Sequence, residues 1–309
     1  MNLNNKIFRR RISCLYLFLI FSLSVSGLSS QSVDAIRKAL NNPNYDKVLV
    51  VAHRGNWRSN APENSLAAIE ESIKMKIDIV ELDVWKTKDG HLVLMHDDTV
   101  DRTTNGKGRI SDLTLAEIKS LYLKDKEGKL TEHRVPTLEE GLLKAKGKIM
   151  VNLDKAYGIF DEAYKIIEKT GTSDMIIMKG GANASDVKRD LGKYLDNIVY
   201  MPVISLDDSD SERKIIDFMS EINPVAFELC YSNKDSKMPL KAMELLRGHS
   251  LIWYNTLWDS LAGGHTDDKA VEEPEANYGY LIDVLHARII QTDRPNTLLK
   301  YLREKGLHE

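Results

Sequence analysis

The sequence predicts an α/β protein, a closed (β/α)8 barrel with a small insertion after the second strand. From residue 47 onward, short apolar or β-branched runs alternate with amphipathic stretches, a pattern typical of βα units in a parallel sheet. These apolar runs number eight, the number of strands that a closed barrel needs. Since no repeat or linker-like segment follows residue 47, residues 31–309 are predicted to form a single domain.

Each element follows from a local pattern of apolar residues and helix-start signals. Pro62 and Pro295 suit helix starts, because proline fits the first turn of a helix. A helix over Val33 to Leu40 is predicted ahead of the barrel. The predicted strands are 47–52, 78–84, 148–153, 175–178, 198–203, 224–229, 250–255 and 288–291. The predicted helices between and after them are 63–75, 137–146, 160–170, 184–195, 211–221, 239–247, 277–286 and 295–305.

The connection after the second strand, from about 85 to 136, is far longer than an ordinary βα loop. It contains a small alternating strand at 91–95, a Gly- and Thr-rich turn at 103–108 and a short helix near 115–120. A long loop at the mouth of a barrel is usually functional, because it can wall off a substrate. We therefore expect this insertion to border the active site.

Composition and charge exclude one class of partner. The formal net charge is −3 and the sequence pI is about 6.3, which give no electrostatic case for nucleic-acid binding. The remaining classes are enzymes and proteins that bind small molecules.

The first thirty residues have the pattern of a secretory signal peptide. Basic residues up to Arg11 precede an apolar stretch from Ile12 to about Val25, and small residues follow. An uncleaved membrane anchor is the alternative, but the apolar run is short for a span of roughly 20 residues. We expect residues 1–30 to be removed on export to the periplasm, with no stable membrane insertion afterwards. The remaining chain keeps only Cys230, so no internal disulfide is possible.

Four polar residues end neighbouring predicted strands. His53 follows strand one, Glu81 and Asp83 end strand two, and Asp154 ends strand three. Residues i and i+2 of a strand share a face, and active sites of such barrels lie at the C-terminal ends of the strands. Carboxylate oxygens are the ligands that hard divalent cations prefer. Glu81, Asp83 and Asp154 are therefore predicted to hold one cation, Ca²⁺ or Mg²⁺.

Two histidines stand beside charged residues near this predicted site. His53 precedes Arg54, and His96, at the end of the small strand, precedes Asp97. A cation beside two imidazoles suits phosphoryl chemistry, in which one histidine accepts a proton and the other donates one. Arg54 suits an anionic phosphate, because a guanidinium can donate two parallel hydrogen bonds. The pattern indicates a phosphodiesterase.

An ordered series of motifs resembles the glycerophosphodiester phosphodiesterase family. The series is His53-Arg54-Gly55, Pro62-Glu63-Asn64-Ser65, Glu81-Leu82-Asp83-Val84, Thr87, Asp89-Gly90 and His96-Asp97. Near the other end, Thr292-Asp293-Arg294-Pro295 is similar to the Thr-Asp-x-Pro that closes the last strand in this family. The resemblance runs from residue 47 to the end of the chain and is densest in the first fifty residues of that span.

The resemblance implies a secreted bacterial barrel enzyme that hydrolyses glycerophosphodiesters to glycerol 3-phosphate and an alcohol. On that pattern, Glu81 and Asp83 ligate Ca²⁺ or Mg²⁺, and His53 and His96 form the acid/base pair. Glu63 and Arg54 then line the metal and phosphate pocket.

Two departures from the family pattern concern cations and aromatic residues. The family has Glu-x-Lys on its third strand, whereas this chain has Asp154-Lys155, and Lys155 is expected to point to the other face if the strand continues. Lys179, at the end of strand four, is predicted to supply the missing cation. On strand seven, Trp253 keeps the family's tryptophan, but the residues after it differ. Trp253 is predicted to contact the substrate at the mouth.

The segment 256–276 carries many acidic residues and is predicted to be a solvated loop, with a substrate-covering lid containing Trp258 or His265 as the alternative.

Two rival functions remain open from the sequence. A phospholipase-type enzyme that forms a cyclic phosphate shares the barrel and the paired histidines, and an inactive relative would bind a phosphorylated ligand without turnover. The acidic 256–276 segment disfavours docking on a membrane.

Overall fold

The computed structural model describes residues 32–59 and 61–309. The predicted signal peptide, residues 1–30, lies outside this range. Among the described residues, no helix has the length and apolar character needed to cross a membrane.

The described chain forms the predicted (β/α)8 barrel. In the main sheet the strand order is β1-β11-β10-β9-β8-β7-β6-β2-β3, and a further pairing of β1 with β2 closes the ring. Eight of these strands are mutually parallel, and β3 adds to β2 in the antiparallel sense. The strands are β1 (Leu49–Ala52), β2 (Ile79–Lys86), β3 (Leu92–Leu94), β4 (Tyr122–Lys124), β5 (Leu130–Arg134), β6 (Met150–Asp154), β7 (Ile176–Gly180), β8 (Val199–Ser205), β9 (Ala226–Cys230), β10 (Leu251–Asn255) and β11 (Ala287–Thr292).

Helices follow the barrel strands and cover the outside of the ring. The α-helices are α1 (Val33–Leu40), α2 (Leu66–Lys74), α3 (Leu115–Lys119), α4 (Leu138–Ala145), α5 (Phe160–Thr170), α6 (Ala184–Leu191), α7 (Ser211–Glu221), α8 (Met238–Leu246), α9 (Asp267–Ala270) and α10 (Pro295–Glu304). The predicted helix 277–286 is a π-helix over Glu275–Val284, and a short 3-10 turn follows α6. One contiguous apolar core extends through the barrel interior and the layer between strands and helices.

The start of α2 differs from the prediction. Pro62 does not begin the helix; instead Ser65 caps it, its side chain accepting a hydrogen bond from Ala68 N at 3.0 Å. Glu63 and Asn64 therefore remain in the loop, where Asn64 has a left-handed backbone with φ of 54°. This loop conformation leaves both side chains available to the rim of the barrel.

The insertion after β2 packs around a small apolar cluster of its own, which includes Val93, Met95 and Val135. Besides the predicted short strand and helix, it contains an antiparallel hairpin of β4 and β5 that the sequence pattern did not indicate. The hairpin escaped prediction because β5 is polar and only partly buried along its whole length, so it lacks an apolar face.

Candidate active site

Three carboxylates converge at the C-terminal rim of the barrel. Glu81 and Asp83 lie on β2, and the pairing of β2 with β6 places Asp83 directly beside Asp154. One oxygen from each of the three side chains lies within 4.8 Å of the others. The cluster arises because parallel neighbours in register bring their strand ends to the same level. It has the donor set of a divalent metal site.

Burial and mutual repulsion make this cluster fit a cation. Glu81 and Asp83 are each 1% exposed. Burial and the charge of Asp83 raise the pKa of Glu81 well above its usual value. Glu81 Oε2 accepts a hydrogen bond from Arg54 N at 2.8 Å, whereas no donor in the described chain reaches the buried Oε1. A bound cation would satisfy this oxygen and relieve the repulsion between the carboxylates.

Two lysines contact the carboxylates of this cluster. Lys179, on β7, is buried, and its Nζ lies 3.1 Å from Asp154 and 3.5 Å from Glu228. Burial opposes its charge, but the surrounding carboxylates together raise the pKa of Lys179. The strand β6 ends at Asp154, Lys155 adopts φ of 60°, and its ammonium contacts Asp83. The expectation that Lys155 points to the other face held only for a strand that continues, and β6 ends before Lys155.

These two lysines also act on Asp154. Burial by itself would raise the pKa of the Asp154 carboxyl, but Lys179 and Lys155 outweigh that effect and lower it overall. Asp154 is the most exposed of the three acidic side chains, at 38%. It is therefore the member of the cluster that is most open to solvent.

His53 is held by a carboxylate from the far end of the chain. Its Nδ1 lies 2.9 Å from Asp293 Oδ1, and β1 pairs with β11 so that Ala52 lies beside Thr292. Burial would raise the pKa of Asp293, but its bond with His53 and nearby positive charge lower it overall. An ionised carboxylate at Nδ1 requires that nitrogen to carry the proton, so Nε2 is the acceptor of the neutral ring. Asp293 belongs to the Thr292-Asp293-Arg294-Pro295 motif, but the sequence did not predict its contact with His53.

His96 has a similar arrangement in the insertion. Its Nδ1 lies 2.7 Å from Asp97 Oδ1, and its backbone carbonyl accepts a hydrogen bond from Trp85 Nε1 at 3.1 Å. Arg102 Nε donates to Asp97 Oδ2 at 2.7 Å, and bonding to Arg102 lowers the pKa of Asp97 to about 2. Both predicted histidines thus present Nδ1 to a carboxylate.

Arg54 and Glu63 lie together, as predicted for a shared pocket. Arg54 Nη1 donates to Glu63 Oε1 at 3.1 Å, and Arg54 adopts a left-handed backbone with φ of 56°. Glu63 also accepts two hydrogen bonds from Arg102, at 2.9 and 2.7 Å. Burial would raise the pKa of Glu63, but Arg102 and Arg54 lower it overall. Arg102 was not among the predicted site residues.

A cavity of about 420 Å³ opens beside these groups. Its volume suits a small molecule. Its walls come from the ends of β1 and β11, the insertion with its hairpin turn, and the segment 256–276. The lining residues are His53, Arg54, Trp57, Glu63, Arg102, Thr103, Lys124, Asp125, Lys126, Gly128, Trp258 and Asp293.

Trp253 does not line this cavity. Its side chain is fully buried, and its Nε1 donates to Asn255 Oδ1 at 2.7 Å. In the structure Trp253 thus packs in the interior away from this cavity, and its contact with a substrate stays a prediction. Trp258 takes the position at the mouth instead, 49% exposed and with its ring centroid 6.3 Å from that of His53.

The segment 256–276 is anchored more firmly than a solvated loop. Asp267 is 3% exposed and accepts hydrogen bonds from the hydroxyls of Thr256, Tyr278 and Thr292 and from Asp293 N, at 2.6 to 2.8 Å. Burial raises the pKa of Asp267 despite these donors. His265 stacks on Tyr280 and is not a cavity residue. One acid from the charged run thus fixes the loop to the strand end that carries Asp293.

The described residues form a (β/α)8 barrel with a cluster of three carboxylates at its C-terminal rim and a polar cavity at its mouth. Residues 53–179 match the sequence model of the glycerophosphoryl diester phosphodiesterase family, and residues 200–302 match that of a domain of unknown function. Over residues 53–179 the chain is therefore similar to the glycerophosphoryl diester phosphodiesterase family.

Curated relatives carry the same family name. The chain is 54% identical over 95 residues to a glycerophosphodiester phosphodiesterase of Caldanaerobacter subterraneus, covering 30% of this chain and 39% of that protein. It is 40% identical over 143 residues to a glycerophosphodiester phosphodiesterase of Bacillus subtilis, covering 43% of this chain and 47% of that protein. The matched part thus spans less than half the length of these two relatives.

Solved structures share the fold over most of the chain. A glycerophosphoryl diester phosphodiesterase from Parabacteroides distasonis superposes with a TM-score of 0.71 at 24% identity, over 88% of this chain and 92% of that one. A phosphodiesterase of Oleispira antarctica, solved with the product sn-glycerol-3-phosphate, superposes with a TM-score of 0.62 at 20% identity, over 84% and 97%. At these identities the likeness establishes the fold.

Proposed function

We propose that the protein is a metal-dependent phosphodiesterase that cleaves glycerophosphodiesters to glycerol 3-phosphate and an alcohol. The observation that carries this proposal is the connection made by Arg54. Its backbone N–H binds Glu81 of the acidic cluster, while its guanidinium lines the cavity beside His53. Metal-ligand chemistry, an anion-binding side chain and a histidine–carboxylate pair therefore meet at one place.

Glu81, Asp83 and Asp154 are the residues that would hold the cation. A bound Ca²⁺ or Mg²⁺ supplies Lewis-acid polarisation of a phosphoryl oxygen and neutralises charge that develops on it. Lys155 and Lys179 lie against the same carboxylates, so positive charge is already concentrated where a phosphate would bind. Small oxygen-ligated cations with these properties are the ones that carboxylate clusters select.

The histidines would move the protons. Asp293 fixes the proton of His53 on Nδ1, which leaves Nε2 to accept a proton from an attacking hydroxyl or water. His96, oriented in the same way by Asp97, would donate a proton to the leaving oxygen or exchange that role with His53. Arg54 would bind a non-bridging phosphate oxygen, with Glu63 holding its guanidinium in place.

The comparisons support this substrate class. The curated relatives are named glycerophosphodiester phosphodiesterases, and the Oleispira antarctica phosphodiesterase was solved with sn-glycerol-3-phosphate. The cavity of about 420 Å³ has the size for a glycerophosphodiester, and its lining includes Arg54, Lys124 and Lys126.

The decisive test is a product assay across head groups. Glycerol 3-phosphate release from glycerophosphodiesters would be followed by ³¹P NMR with EDTA, and again after addition of Ca²⁺ or Mg²⁺. We expect EDTA to abolish turnover and one of the cations to restore it. Turnover that is unchanged in EDTA would refute the metal assignment. A cyclic phosphate product would identify the cyclising rival, and binding without turnover would identify an inactive relative.

Histidine variants test the proton-transfer roles. His53→Ala and His96→Ala are each expected to lower kcat by about 10²-fold or more, the usual loss when general acid/base catalysis is removed. His249→Ala is the matched control, because His249 is exposed after α8, away from the cavity residues. Wild-type rates in both site variants would contradict the proposed mechanism.

We further propose that residues 1–30 direct export to the periplasm and that residues 31–309 act there as a single barrel domain. The support is the basic, apolar and small-residue order of that segment. Fractionation of cells producing the full chain should release a shortened protein from the periplasm. Retention of the full-length chain in the membrane fraction would favour an uncleaved anchor.

A further inference from the structure

Arg102, in the insertion between β3 and β4, binds two carboxylates that come from different loops. It donates to both oxygens of Glu63, at 2.9 and 2.7 Å, and to both oxygens of Asp97, at 2.7 and 3.0 Å. Glu63 lies in the loop after β1, whereas Asp97 lies in the insertion, 34 residues away by the numbering. Arg102 therefore joins the insertion to the rim of the barrel.

The guanidinium has little capacity left for a substrate. An arginine offers five N–H groups, and the four bonds described use most of them. Two carboxylates also compensate its single positive charge. Although Arg102 lines the cavity, these contacts favour an orienting role over direct binding of a phosphate.

Arg102 is also connected to His96, because both residues bind Asp97. Asp97 Oδ1 accepts a hydrogen bond from Arg102 Nη2 at 3.0 Å and lies 2.7 Å from His96 Nδ1. The His96 side chain is 32% exposed, so packing alone constrains it less than it does the buried His53. One fixed carboxylate thus sets the orientation of a ring that would otherwise be free to rotate.

We propose that Arg102 is a positioning residue that fixes His96 through Asp97 and couples it to the Glu63–Arg54 pair. This inference rests on the proposed function and names a further residue of the same site. The low pKa of Asp97, at about 2, accords with a carboxylate held ionised by Arg102. Folding of the insertion would then assemble one half of the acid/base machinery.

The test compares Arg102→Gln and Arg102→Lys with a matched control, Arg109→Gln. Arg109 lies in the same insertion and pairs with Asp98 at 3.0 Å, but its side chain is 65% exposed and it is not a cavity residue. We expect Arg102→Gln to lower kcat by about 10- to 100-fold with KM within about threefold, because charge-assisted bidentate orientation is lost. Arg102→Lys should recover little of this loss, since an ammonium cannot bridge two carboxylates in the fork geometry. Arg109→Gln should remain within about twofold of wild type.

A spectroscopic measurement separates this inference from the proposed function. The ¹⁵N shifts of the His96 ring report whether the proton lies on Nδ1, and they need no substrate. We expect one defined tautomer in the wild type and in Arg109→Gln, and a mixture in Arg102→Gln, while the His53 signals stay unchanged. Loss of the single His96 tautomer supports the inference even if no glycerophosphodiester is cleaved.

Three results would overturn the inference. One is a raised KM with unchanged kcat in Arg102→Gln, which would make Arg102 a substrate ligand. Another is full recovery in Arg102→Lys, which would show that charge alone matters. The third is a His96 tautomer that is identical in the wild type and in Arg102→Gln.

Discussion

Asp293→Asn removes the carboxylate that orients His53 while changing the size of the side chain very little. Asp293 Oδ1 lies 2.9 Å from His53 Nδ1, and the two side chains are 16% and 9% exposed. Trp57 Nε1 also donates to Asp293 Oδ1, at 3.2 Å, so the position of the replaced side chain is constrained. The perturbation therefore acts on charge and tautomer more than on packing.

The magnitude follows from the loss of one charge-assisted hydrogen bond. Such a bond contributes about 1.5 to 3 kcal/mol, and each 1.36 kcal/mol corresponds to a factor of ten in rate. We therefore expect kcat to fall by about 10- to 150-fold. KM should change by less than about threefold, because Asp293 acts through His53 and carries no positive charge for a phosphate.

The assay is glycerol 3-phosphate release at saturating cation, with Asp268→Asn as the matched control. Asp268 lies on α9 and pairs with Arg294 at 2.6 Å, but its side chain is 77% exposed. Exposed ion pairs contribute about 0 to 1 kcal/mol, so Asp268→Asn should behave like the wild type. If Asp293→Asn matched Asp268→Asn in kcat, the proposed orientation of His53 would be refuted.

Two further predictions concern stability. Gly55→Ala should lower the free energy of unfolding by about 2 kcal/mol or more in urea titrations, because Gly55 has φ of 78° and an added Cβ would lie 2.7 Å from Ala68 Cβ. Gly90→Ala, with φ of 83° but no atom within 4 Å of the added Cβ, should lose less, and equal losses would remove the steric explanation. His308 Nε2 lies 3.0 Å from the buried Asp78; burial opposes its charge, yet Asp78 raises the pKa of His308 overall. Because a raised folded-state pKa adds stability below the unfolded value of about 6.5 and loses it as pH rises through the folded value, His308→Gln should cost more stability at pH 6 than at pH 9, and a cost independent of pH would contradict the charged pair.

The positions of the rim residues were predictable because backbone periodicity is local information. The apolar run before Glu81 and Asp83 predicts a buried strand, and two residues two positions apart on a strand must share a face. The barrel then places strand ends together, which is why Asp154 joins them in the structure. The same reasoning does not extend to Lys155, because β6 ends at Asp154 and Lys155 has a left-handed backbone with φ of 60°.

Side-chain partnerships between distant segments were beyond local patterns. The hydrogen bond between His53 and Asp293 joins residues 240 positions apart. The residues next to His53 along the chain do not indicate that Asp293 is its partner, and those next to Asp293 do not indicate His53. Trp253 lies on β10, where the sequence pattern predicts a strand. Its complete burial, however, depends on the packing of the closed barrel around it. Asp267 looks like one more charge in an acidic run, but the four donors that justify its burial come from three other parts of the chain.

Local sequence patterns are enough to predict the order of the barrel strands and helices and the acidic residues at their ends, and they single out both histidines, since these patterns depend on residues close together along the chain. The packing of distant segments sets which carboxylates bind those histidines, which lysines contact the acidic cluster and which tryptophan lines the cavity. The physical reason is that the register of a strand fixes the position and the face of each residue on it. The partners of its side chain depend instead on how loops from other parts of the chain pack against that residue.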